Sequence, residues 1–554
     1  MADPDSSAVD LPQVLDKEIK CMSKQEKSLL GSVAAIKTLA GILRGCYGPY
    51  GRLKFLVTSQ GKTVCTGYAA TILGALELDH PAAQLLREAA QTQSENSGDG
   101  TTFVVLLAGA LLEQAEAMVR AGLPHSRVRE AYAVATNEAL KILPTLVVCS
   151  IDSLEDPTWA LRSAVYTHSL SHPEYLAKLV TQACHDSRDP DGSFNPERLA
   201  VCSVPGAGLD DSNLIPGLAV YGAPCGKITV IVGEAKVALY ACPFGPVSPH
   251  TPAAAHLTCP EDLINYDKGE ERMASMLVTQ LAAKGINVVV VWGQINEICL
   301  LHADQHGIMV VQAKSKRQVV QLSHVMGITM LPLLMPPLVA GQCLKVYTKE
   351  MALGLAVVFE WDSLLAPAFT VILRGSTAEG LKGAEQAVHH AINAYAQLSQ
   401  DPRLLPGAGA TELALAKKLS ELGSQLEGPN GPGILAFARA LRSLPVILAE
   451  NAGVQGADVL AQLQGYHQAG NTVMGVGDEG TINVTQEGVF DPFIVKTQGL
   501  RVAADVVLEL VTVDDILIAK KSGEYIHPKN RDSQSDNLTQ HPPPSILTLG
   551  RNNW

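Results

Sequence analysis

The segment 97–102 combines residue types that bind phosphorylated ligands, because it reads Ser-Gly-Asp-Gly-Thr-Thr. Its glycines let the backbone come close to a ligand, and the apolar residues after it predict a long helix over 102–120. The free N–H groups at the start of such a helix favour an anion. Asp99 could hold Mg²⁺, and Thr101 or Thr102 could cap the helix and bond a phosphate oxygen. Taken alone, a capped turn without a ligand explains the segment at least as well.

Two further glycine-rich turns stand at the borders of predicted helices. The segment 47–51 reads Tyr-Gly-Pro-Tyr-Gly and follows a helical stretch that ends near Arg44. The segment 406–412 reads Pro-Gly-Ala-Gly-Ala-Thr-Glu and precedes another helix. Each of them alone is typical of an ordinary turn.

A GxGxxG match at 475–480 raises the alternative of a dinucleotide-binding enzyme. That function requires a strand before the glycines and a helix after them. The residues that follow, 481–485, predict a strand, so we interpret the match as chance. The sequence contains no HExxH or GxSxG motif that would indicate another enzyme class.

The composition favours a cytoplasmic protein whose partners are other proteins. Its 554 residues suggest three or four domains. The net charge of −13 argues against nucleic acid or an anionic membrane as the main partner. The 11 cysteines are dispersed without a CxxC pair, as expected for reduced thiols. Residues 1–16 lack the apolar region of a signal peptide.

The apolar pattern divides the chain into three zones. Helical spacing dominates up to about residue 148 and again after about residue 377. Between them, β-branched runs alternate with helical segments, which predicts an α/β domain inserted into a helical one. Two separate strands are predicted in this middle zone, at 227–232 and 237–240.

Three other segments give specific predictions. The apolar stretch 325–341 contains three prolines and is shorter than the roughly 20 residues of a membrane span, so we predict a buried connector. A hairpin is predicted near 482–495 and a helix over 500–511. The polar, proline-containing tail after residue 522 is predicted to be disordered.

The order and spacing of the motifs resemble those of the group II (TCP-1-type) chaperonins. The resemblance is carried by Leu-Asp-His-Pro-Ala-Ala at 78–83, Ser-Gly-Asp-Gly-Thr-Thr at 97–102, Leu-Arg-Gly-Ser-Thr at 373–377 and Pro-Gly-Ala-Gly-Ala-Thr-Glu at 406–412. It runs from about residue 29 to about residue 521. Within the family, the segments 176–179, 241–244 and 449–451 are most similar to the theta branch.

This resemblance implies a multidomain α+β chaperonin fold. Residues 1–148 and 405–554 would form a helical equatorial domain that binds ATP. Residues 149–215 and 368–404 would form a small α/β intermediate domain, and residues 216–367 an inserted α/β apical domain. The implied partners are related subunits in a ring and unfolded polypeptide clients.

The resemblance also implies which residues bind the expected cofactors, ATP and Mg²⁺. Asp99 is similar to the magnesium ligand of the family, and Asp491 to the residue that meets the sugar of the nucleotide. The positions similar to the other nucleotide contacts are Tyr47, Gly48, Gly100, Thr101, Thr102, Phe103 and Gly409.

Three positions depart from the family pattern. Relatives read Thr-Asn-Asp-Gly-Ala-Thr where the segment 66–71 reads Thr-Gly-Tyr-Ala-Ala-Thr, so Tyr68 replaces an aspartate. His390 takes the place of a second aspartate. The family uses both acids to position and activate water, and losing a general base costs about 10²–10⁴-fold in rate. His172 stands where relatives carry a lysine that senses the terminal phosphate.

The departures leave three hypotheses. The first is a subunit that binds ATP and hydrolyses it weakly or not at all. The second is an active folding ATPase with His390 as a substitute base, since a neutral imidazole can accept a proton near pH 7. The third is a scaffold that works without nucleotide, against which the retention of Asp99 and Asp491 argues.

Overall fold

The computed structural model describes residues 20–21, 25–57, 61, 63–154, 156–167, 172–189, 192–245, 260–351, 354–361, 368–426, 428 and 430–518. The predicted disordered tail lies outside these residues. The terminal segments Met1–Ser23 and Asp515–Trp554 form one unit. Its described part is an antiparallel pair of β1 (Lys20–Cys21) and β18 (Leu517–Ile518). All other elements belong to the unit Lys24–Asp514.

Eight of the described helices contribute to the largest apolar core. They are α1 Gln25–Arg44, α2 Ala69–Ala75, α3 Pro81–Ser97, α4 Thr101–Arg120, α5 His125–Ile142, α12 Ala410–Gln425, α13 Asn430–Asn451 and α15 Phe493–Thr512. A ninth, α14 (Gly456–Gln468), packs on α12 and α13 with a small core of its own. Helix α4 is buried on nearly all sides because its residues are apolar all round, as the sequence predicts.

Two described helices, α4 and α13, are long and apolar enough to cross a membrane by length and composition. In the most apolar 18-residue window of each, 61% is buried inside the protein. Both contribute to the large helical core. Burial against other helices therefore accounts for their apolar character, and they are weak evidence for a membrane.

A second core lies between a three-stranded sheet and three helices. Strand β13 (Phe369–Gly375) is central, with β5 (Leu199–Pro205) parallel on one side and β6 (Asn213–Pro216) antiparallel on the other. The helices are α6 Thr158–Tyr166, α7 Pro173–Asp186 and α11 Ala378–Gln400. Helix α11 touches both this core and α3, so it connects the sheet with the helical core.

The middle of the chain forms a closed six-stranded barrel in the order β10-β7-β12-β11-β8-β9. Its strands are β7 Leu218–Pro224, β8 Val230–Tyr240, β9 Val288–Val291, β10 Met309–Ala313, β11 Gly341–Met351 and β12 Gly354–Glu360. Strand β9 is all valine. Val288 and Val290 join one core with α10 (Lys316–Met326), whereas Val289 and Val291 join another with α8 (Pro260–Ala283) and α9 (Glu297–Gln305). A strand buried on both faces explains the continuous apolar run.

One small three-stranded sheet brings distant parts of the chain together. Strand β14 (Arg403–Pro406) lies between β4 (Cys149–Ser150) and β17 (Phe490–Pro492), and Leu405 is opposite Asp491. Two hairpins complete the described structure. They are β2 Lys54–Val57 with β3 Thr63–Thr66, and β15 Met474–Gly477 with β16 Gly480–Asn483.

The prediction of two strands at 227–232 and 237–240 was wrong, because β8 is one continuous strand. Its pairing with β11 shifts between Cys343 and Lys345, which is a bulge. Gly233 lies at the bulge with φ of +103°, a left-handed conformation that suits glycine. The glycine therefore bends a strand and does not end one.

The prediction of a buried connector at 325–341 was also wrong. Helix α10 continues to Met326. Of the fifteen residues after it, 327–341, seven are exposed and three are buried, with Leu338 fully exposed and Val339 68% exposed. Leu334 packs inward, and Leu331 bridges to Tyr240. Apolar composition in this segment therefore did not mean burial.

Around residue 490 the element boundaries differ from the prediction. The hairpin at Met474–Asn483 comes before the predicted 482–495, and α15 begins at Phe493, earlier than the predicted 500. Pro492 immediately precedes this helix, a position that proline tolerates because no helical N–H is lost there. The earlier start places the first turn of α15 beside Asp491.

Candidate nucleotide site

A cavity of about 600 Å³ gathers the glycine turns. This volume lies within the usual range of ligand pockets, about 300–1,000 Å³. The cavity is lined by every predicted nucleotide or metal residue and by two of the three departures, Tyr68 and His390. The predicted residues are Tyr47, Gly48, Asp99, Gly100, Thr101, Thr102, Phe103, Gly409 and Asp491. The structure therefore brings together residues as distant in the sequence as Tyr47 and Asp491, which are 444 positions apart.

Two helices begin at the cavity, and each begins at a glycine. Gly100 precedes α4 with φ of 82°, and Gly409 precedes α12 with φ of 80°. A Cβ on Gly409 would lie 2.9 Å from Cγ of Pro445, so a side chain would meet both strain and a clash. Two helix N-termini with free N–H groups on one cavity make it favourable for a polyanion.

The predicted threonine cap was wrong. Helix α4 has Gly100 at the cap position and no side-chain cap hydrogen bond, because Thr101 already lies inside the helix. The Oγ1 atom of Thr101 is buried and lacks a well-formed hydrogen bond within the described residues, with the Tyr68 hydroxyl as its polar neighbour. A buried hydroxyl without a partner is unfavourable unless a ligand supplies one. It therefore fits a phosphate oxygen.

The Asp99 carboxylate is fixed at the start of α4. The backbone N–H of Gly100 donates to Oδ1 of Asp99 over 2.6 Å. In the part of the chain that the structure describes, no group of three or more His, Cys, Asp or Glu residues could hold a metal ion. Mg²⁺ does not need such a group, since it is commonly held by one or two carboxylates, phosphate oxygens and water. Asp99 therefore fits Mg²⁺ in company with a phosphorylated ligand.

The turn after α1 is tied to α13. The side-chain amide of Asn451 donates to the carbonyl oxygens of Arg44 at 2.9 Å and of Tyr47 at 2.8 Å. Arg44 also pairs with Glu450. Burial raises the pKa of the Tyr47 phenol above its usual value, so the phenol stays protonated. These contacts fix Tyr47 and Gly48 at the rim of the cavity.

The position predicted to meet a sugar, Asp491, is ion-paired with a lysine that sequence reasoning missed. Nζ of Lys496 lies 3.1 Å from Oδ2 of Asp491 and 2.5 Å from Oε1 of Glu412. It also lies 4.5 Å from the ring centroid of Phe103. Burial would lower the pKa of Lys496, but the two carboxylates outweigh it and hold the pKa well above its usual value.

One group of lining residues is apolar and suits the flat face of a nucleobase. It comprises Leu448, Val476 and Ile482. The last two belong to the β15–β16 hairpin, which carries the GxGxxG match and is followed by no dinucleotide-binding helix. The interpretation of the match as chance is confirmed, yet the hairpin turn, with Asp478 and Glu479, also lines the cavity.

Tyr68 and His390 lie against each other in the cavity. Their ring centroids are 4.4 Å apart with an interplanar angle of 62°. The hydroxyl of Tyr68 is hydrogen-bonded to Ser94, and burial raises its pKa. His390 is 8% exposed, and burial, with help from His389, lowers its pKa to about 4. Both side chains are therefore uncharged at neutral pH.

His390 differs from a catalytic aspartate in charge more than in basicity, because its pKa of about 4 is close to that of an ordinary aspartate, about 3.9. An aspartate is negatively charged at pH 7 and can orient water and stabilise developing positive charge. The imidazole of His390 and the phenol of Tyr68 are both uncharged at that pH. This loss of negative charge weakens the hypothesis that His390 replaces a catalytic aspartate.

His172 lies outside the cavity lining. Its side chain is 61% exposed and lies 3.5 Å from Asp210. The cation that lines the cavity from the neighbouring helix α6 is Arg162. Its guanidinium donates to the carbonyl oxygen of Glu487 at 3.0 Å and pairs with Glu174 at 3.3 Å.

The buried histidine leads to a prediction about acid stability. His390 titrates near pH 6.5 when unfolded and near 4 when folded, so between these values the unfolded chain binds more protons. Lowering the pH through this window therefore removes stability, by about 2 kcal/mol between pH 7 and pH 5. His390→Asn should lose less stability over this interval, measured as the shift of the urea midpoint.

The matched control for this experiment is His306→Asn, because His306 is an exposed histidine at the end of α9. It should lose as much stability between pH 7 and pH 5 as the unchanged chain. An equal loss in the His390→Asn variant would show that His390 does not titrate in this way.

The chain belongs to the TCP-1/cpn60 chaperonin family, whose family model matches residues 39–521. Among its relatives, it is 55% identical to human T-complex protein 1 subunit theta-like 2 over 553 residues, 99% of each chain. It is 35% identical to human T-complex protein 1 subunit theta over 533 residues, which is 95% of this chain and 97% of the relative. The theta subunit of Caenorhabditis briggsae is 31% identical over 524 residues, 93% of this chain and 95% of the relative.

These comparisons confirm the resemblance to group II chaperonins and to the theta branch. They also confirm the multidomain α+β chaperonin fold. The domain boundaries and the roles of the site residues stay predictions.

Proposed function

We propose that this chain is a chaperonin subunit that binds ATP with Mg²⁺ and hydrolyses ATP weakly or not at all. The supporting observation is the content of one cavity. It combines Asp99 and the N-termini of α4 and α12, which suit a triphosphate and its ion, with two uncharged side chains, Tyr68 and His390. Binding groups are thus present, while the groups for water activation are poorly suited to that task.

Each part of the site has a place in this proposal. The N–H groups before α4 and α12 and the Thr101 hydroxyl would contact the phosphates. Asp99 would hold Mg²⁺, which neutralises phosphate charge when bound. Asp491 would accept a hydrogen bond from the ribose, and the apolar residues of the hairpin would pack on the base. Residues 1–148 and 405–554 would then act as the equatorial domain, and residues 149–215 and 368–404 as the intermediate one.

The names of the relatives suggest the wider role. They are described as subunits of T-complex protein 1. By this likeness, the chain would assemble with related subunits in a ring in the cytoplasm and bind unfolded polypeptide through the apical domain, residues 216–367. Nucleic acid and membranes have no part in this function, in keeping with a net charge of −13.

The test combines a binding measurement with a turnover measurement on the full chain. ATP with Mg²⁺ should raise the melting temperature, because a ligand at 100 times its Kd stabilises the folded state by about 2.7 kcal/mol. Phosphate release under the same conditions should stay near the uncatalysed background. Inorganic phosphate at the same concentration is the control for a general salt effect.

Two results would contradict the proposal. A melting temperature that ATP does not change, at millimolar concentrations with and without Mg²⁺, would favour a scaffold that works without nucleotide. Phosphate release at several turnovers per minute would instead support an active folding ATPase, and loss of this turnover in His390→Ala would identify His390 as its base.

A further inference from the structure

Lys496 stands between two carboxylates on the inner side of the cavity. It lies in the first turn of α15, Glu412 in the first turn of α12, and Asp491 in β17. The side chains are 12%, 2% and 25% exposed, respectively. The ammonium group therefore connects a carboxylate in the interior with one that reaches the cavity.

The interior carboxylate anchors the lysine. Oε1 of Glu412 lies 2.5 Å from Nζ of Lys496, and the ring of Phe103 lies 4.5 Å from the same atom. A buried ammonium group needs opposite charge and hydrogen bonds to remain charged, and Glu412 provides them away from the cavity. Lys496 is therefore fixed independently of any bound ligand.

We propose that Lys496 is a positioning residue that makes the site selective for ribonucleotides, by holding Asp491 ready to accept a hydrogen bond from a ribose hydroxyl. Lys496 binds Oδ2 of Asp491 at 3.1 Å, while a quarter of the Asp491 side chain stays exposed at the cavity. The proposal rests on the proposed function, because it concerns the sugar of a nucleotide bound in this cavity.

The site should prefer ribonucleotides because a deoxy analogue cannot make the hydrogen bond from the ribose hydroxyl to Asp491. A carboxylate that is held in one position gains a charged hydrogen bond from the ribose and loses it with a deoxyribose. Sites built to hydrogen-bond a substrate hydroxyl discriminate strongly against analogues that lack it. Without Lys496, Asp491 can rotate, so the preference should become small even though Asp491 is still present.

The test compares ligands that differ only at the sugar. Isothermal titration of the full chain with ATP, 2′-deoxy-ATP and 3′-deoxy-ATP, all with Mg²⁺, gives the preference for each hydroxyl, and inorganic tripolyphosphate with Mg²⁺ reports on the phosphate subsite alone. We expect the unchanged chain to prefer ATP over at least one deoxy analogue by roughly 10-fold or more. In Lys496→Met this preference should fall to about 3-fold or less. The affinities for ATP and tripolyphosphate should also fall together in this variant, because the two carboxylates lose their cation.

A second variant keeps the test valid if Lys496→Met fails to fold. Removing the lysine alone leaves the Glu412 charge buried and unpaired, whereas replacing both members of a buried pair is tolerated better. The double variant Glu412→Gln, Lys496→Met should therefore fold and show the same loss of preference. The matched control is Lys382→Met, which removes an exposed lysine paired with Glu379 and should change neither affinity nor preference.

The outcomes separate this proposal from the one on which it rests. If the unchanged chain binds neither ATP nor tripolyphosphate, the proposed function and this inference both fail. If it binds ATP without a preference for either hydroxyl, or if the lysine variants keep the full preference, only the role of Lys496 is overturned. A loss of tripolyphosphate affinity in the double variant, which keeps the net charge of the pair, would also overturn it, because it would indicate a general structural role.

Discussion

Phosphate release by the double variant Tyr68→Asp, His390→Asp should exceed that of the unchanged chain by about 10²–10⁴-fold. The two side chains line the same cavity as Asp99, and their ring centroids are 4.4 Å apart. The resemblance to the chaperonin family predicts an aspartate at both positions. Two carboxylates would restore negatively charged groups that can orient water and accept its proton, whereas the Tyr68 phenol and the His390 imidazole are uncharged at neutral pH.

The effect should require both replacements. Catalytic groups that act as a unit are strongly non-additive, so each single variant should stay near the background rate. The control is the double variant Tyr68→Phe, His390→Asn, which alters the same positions without adding a carboxylate. Phosphate release is measured with saturating ATP and Mg²⁺, and the shift of the melting temperature shows that each variant still binds.

One outcome would argue directly against this account. If the aspartate variant binds ATP as the unchanged chain does but releases phosphate no faster, the two positions are not what limits hydrolysis. Arg162 would then become the next group to examine, because its guanidinium is a cation that lines the same cavity.

The glycine turns were predictable from sequence because their chemistry is local. Positive φ at Gly100 and Gly409 depends on the turn itself, and the helix after each turn follows from its own apolar spacing. The local sequence also led to one wrong prediction. The threonines of the segment 97–102 suggested a threonine cap, but α4 begins at Thr101, one residue earlier than predicted, with Gly100 at the cap position. Boundaries shift by a residue or two even where the element is certain.

Lys496 could not be assigned from sequence because its role depends on tertiary contacts. Its partner Glu412 is 84 residues away, and no local pattern relates the two. The sequence nevertheless contained a clue to an ion pair, because Lys496 stands in the otherwise apolar first turn of α15, after Phe493. Burying a lysine without a carboxylate partner is energetically unfavourable. Such a lysine predicts a buried ion pair but does not identify the acid.

The exposed connector at 325–341 shows a second limit. Composition alone predicted burial, yet Leu338 and Val339 are exposed. Prolines at 332, 336 and 337 restrict the backbone and remove hydrogen-bond donors, so the part between Met326 and Gly341 forms no helix and no extended strand. Only some of its apolar side chains, such as Leu334, therefore pack inward. Apolar content predicts burial reliably only when the residues can also form a regular helix or strand, as the valines of β9 do.

Asp99→Asn should weaken Mg²⁺-dependent ATP binding by at least about 10–100-fold. Removing a residue that only hydrogen-bonds to a metal ligand commonly lowers metal affinity by this factor. Asp99 is predicted to contact the ion itself, so its loss should have at least as large an effect. Asparagine keeps an oxygen that can accept the N–H of Gly100, now 2.6 Å from the carboxylate, so the start of α4 should be preserved. The variant should therefore fold normally and lose the charge alone.

The measurement that isolates this effect is ATP affinity at a series of Mg²⁺ concentrations, from a chelated solution to millimolar ion. Asp99→Asn should flatten the dependence on Mg²⁺ and change the affinity for free ATP little, because the helix N-termini still bind phosphate. Asp478→Asn is the matched control, since Asp478 also lines the cavity but lies on the hairpin turn. If Asp478→Asn flattened the dependence and Asp99→Asn did not, the ion would have to be placed beside the hairpin, and the assignment of the triphosphate to the starts of α4 and α12 would fail with it.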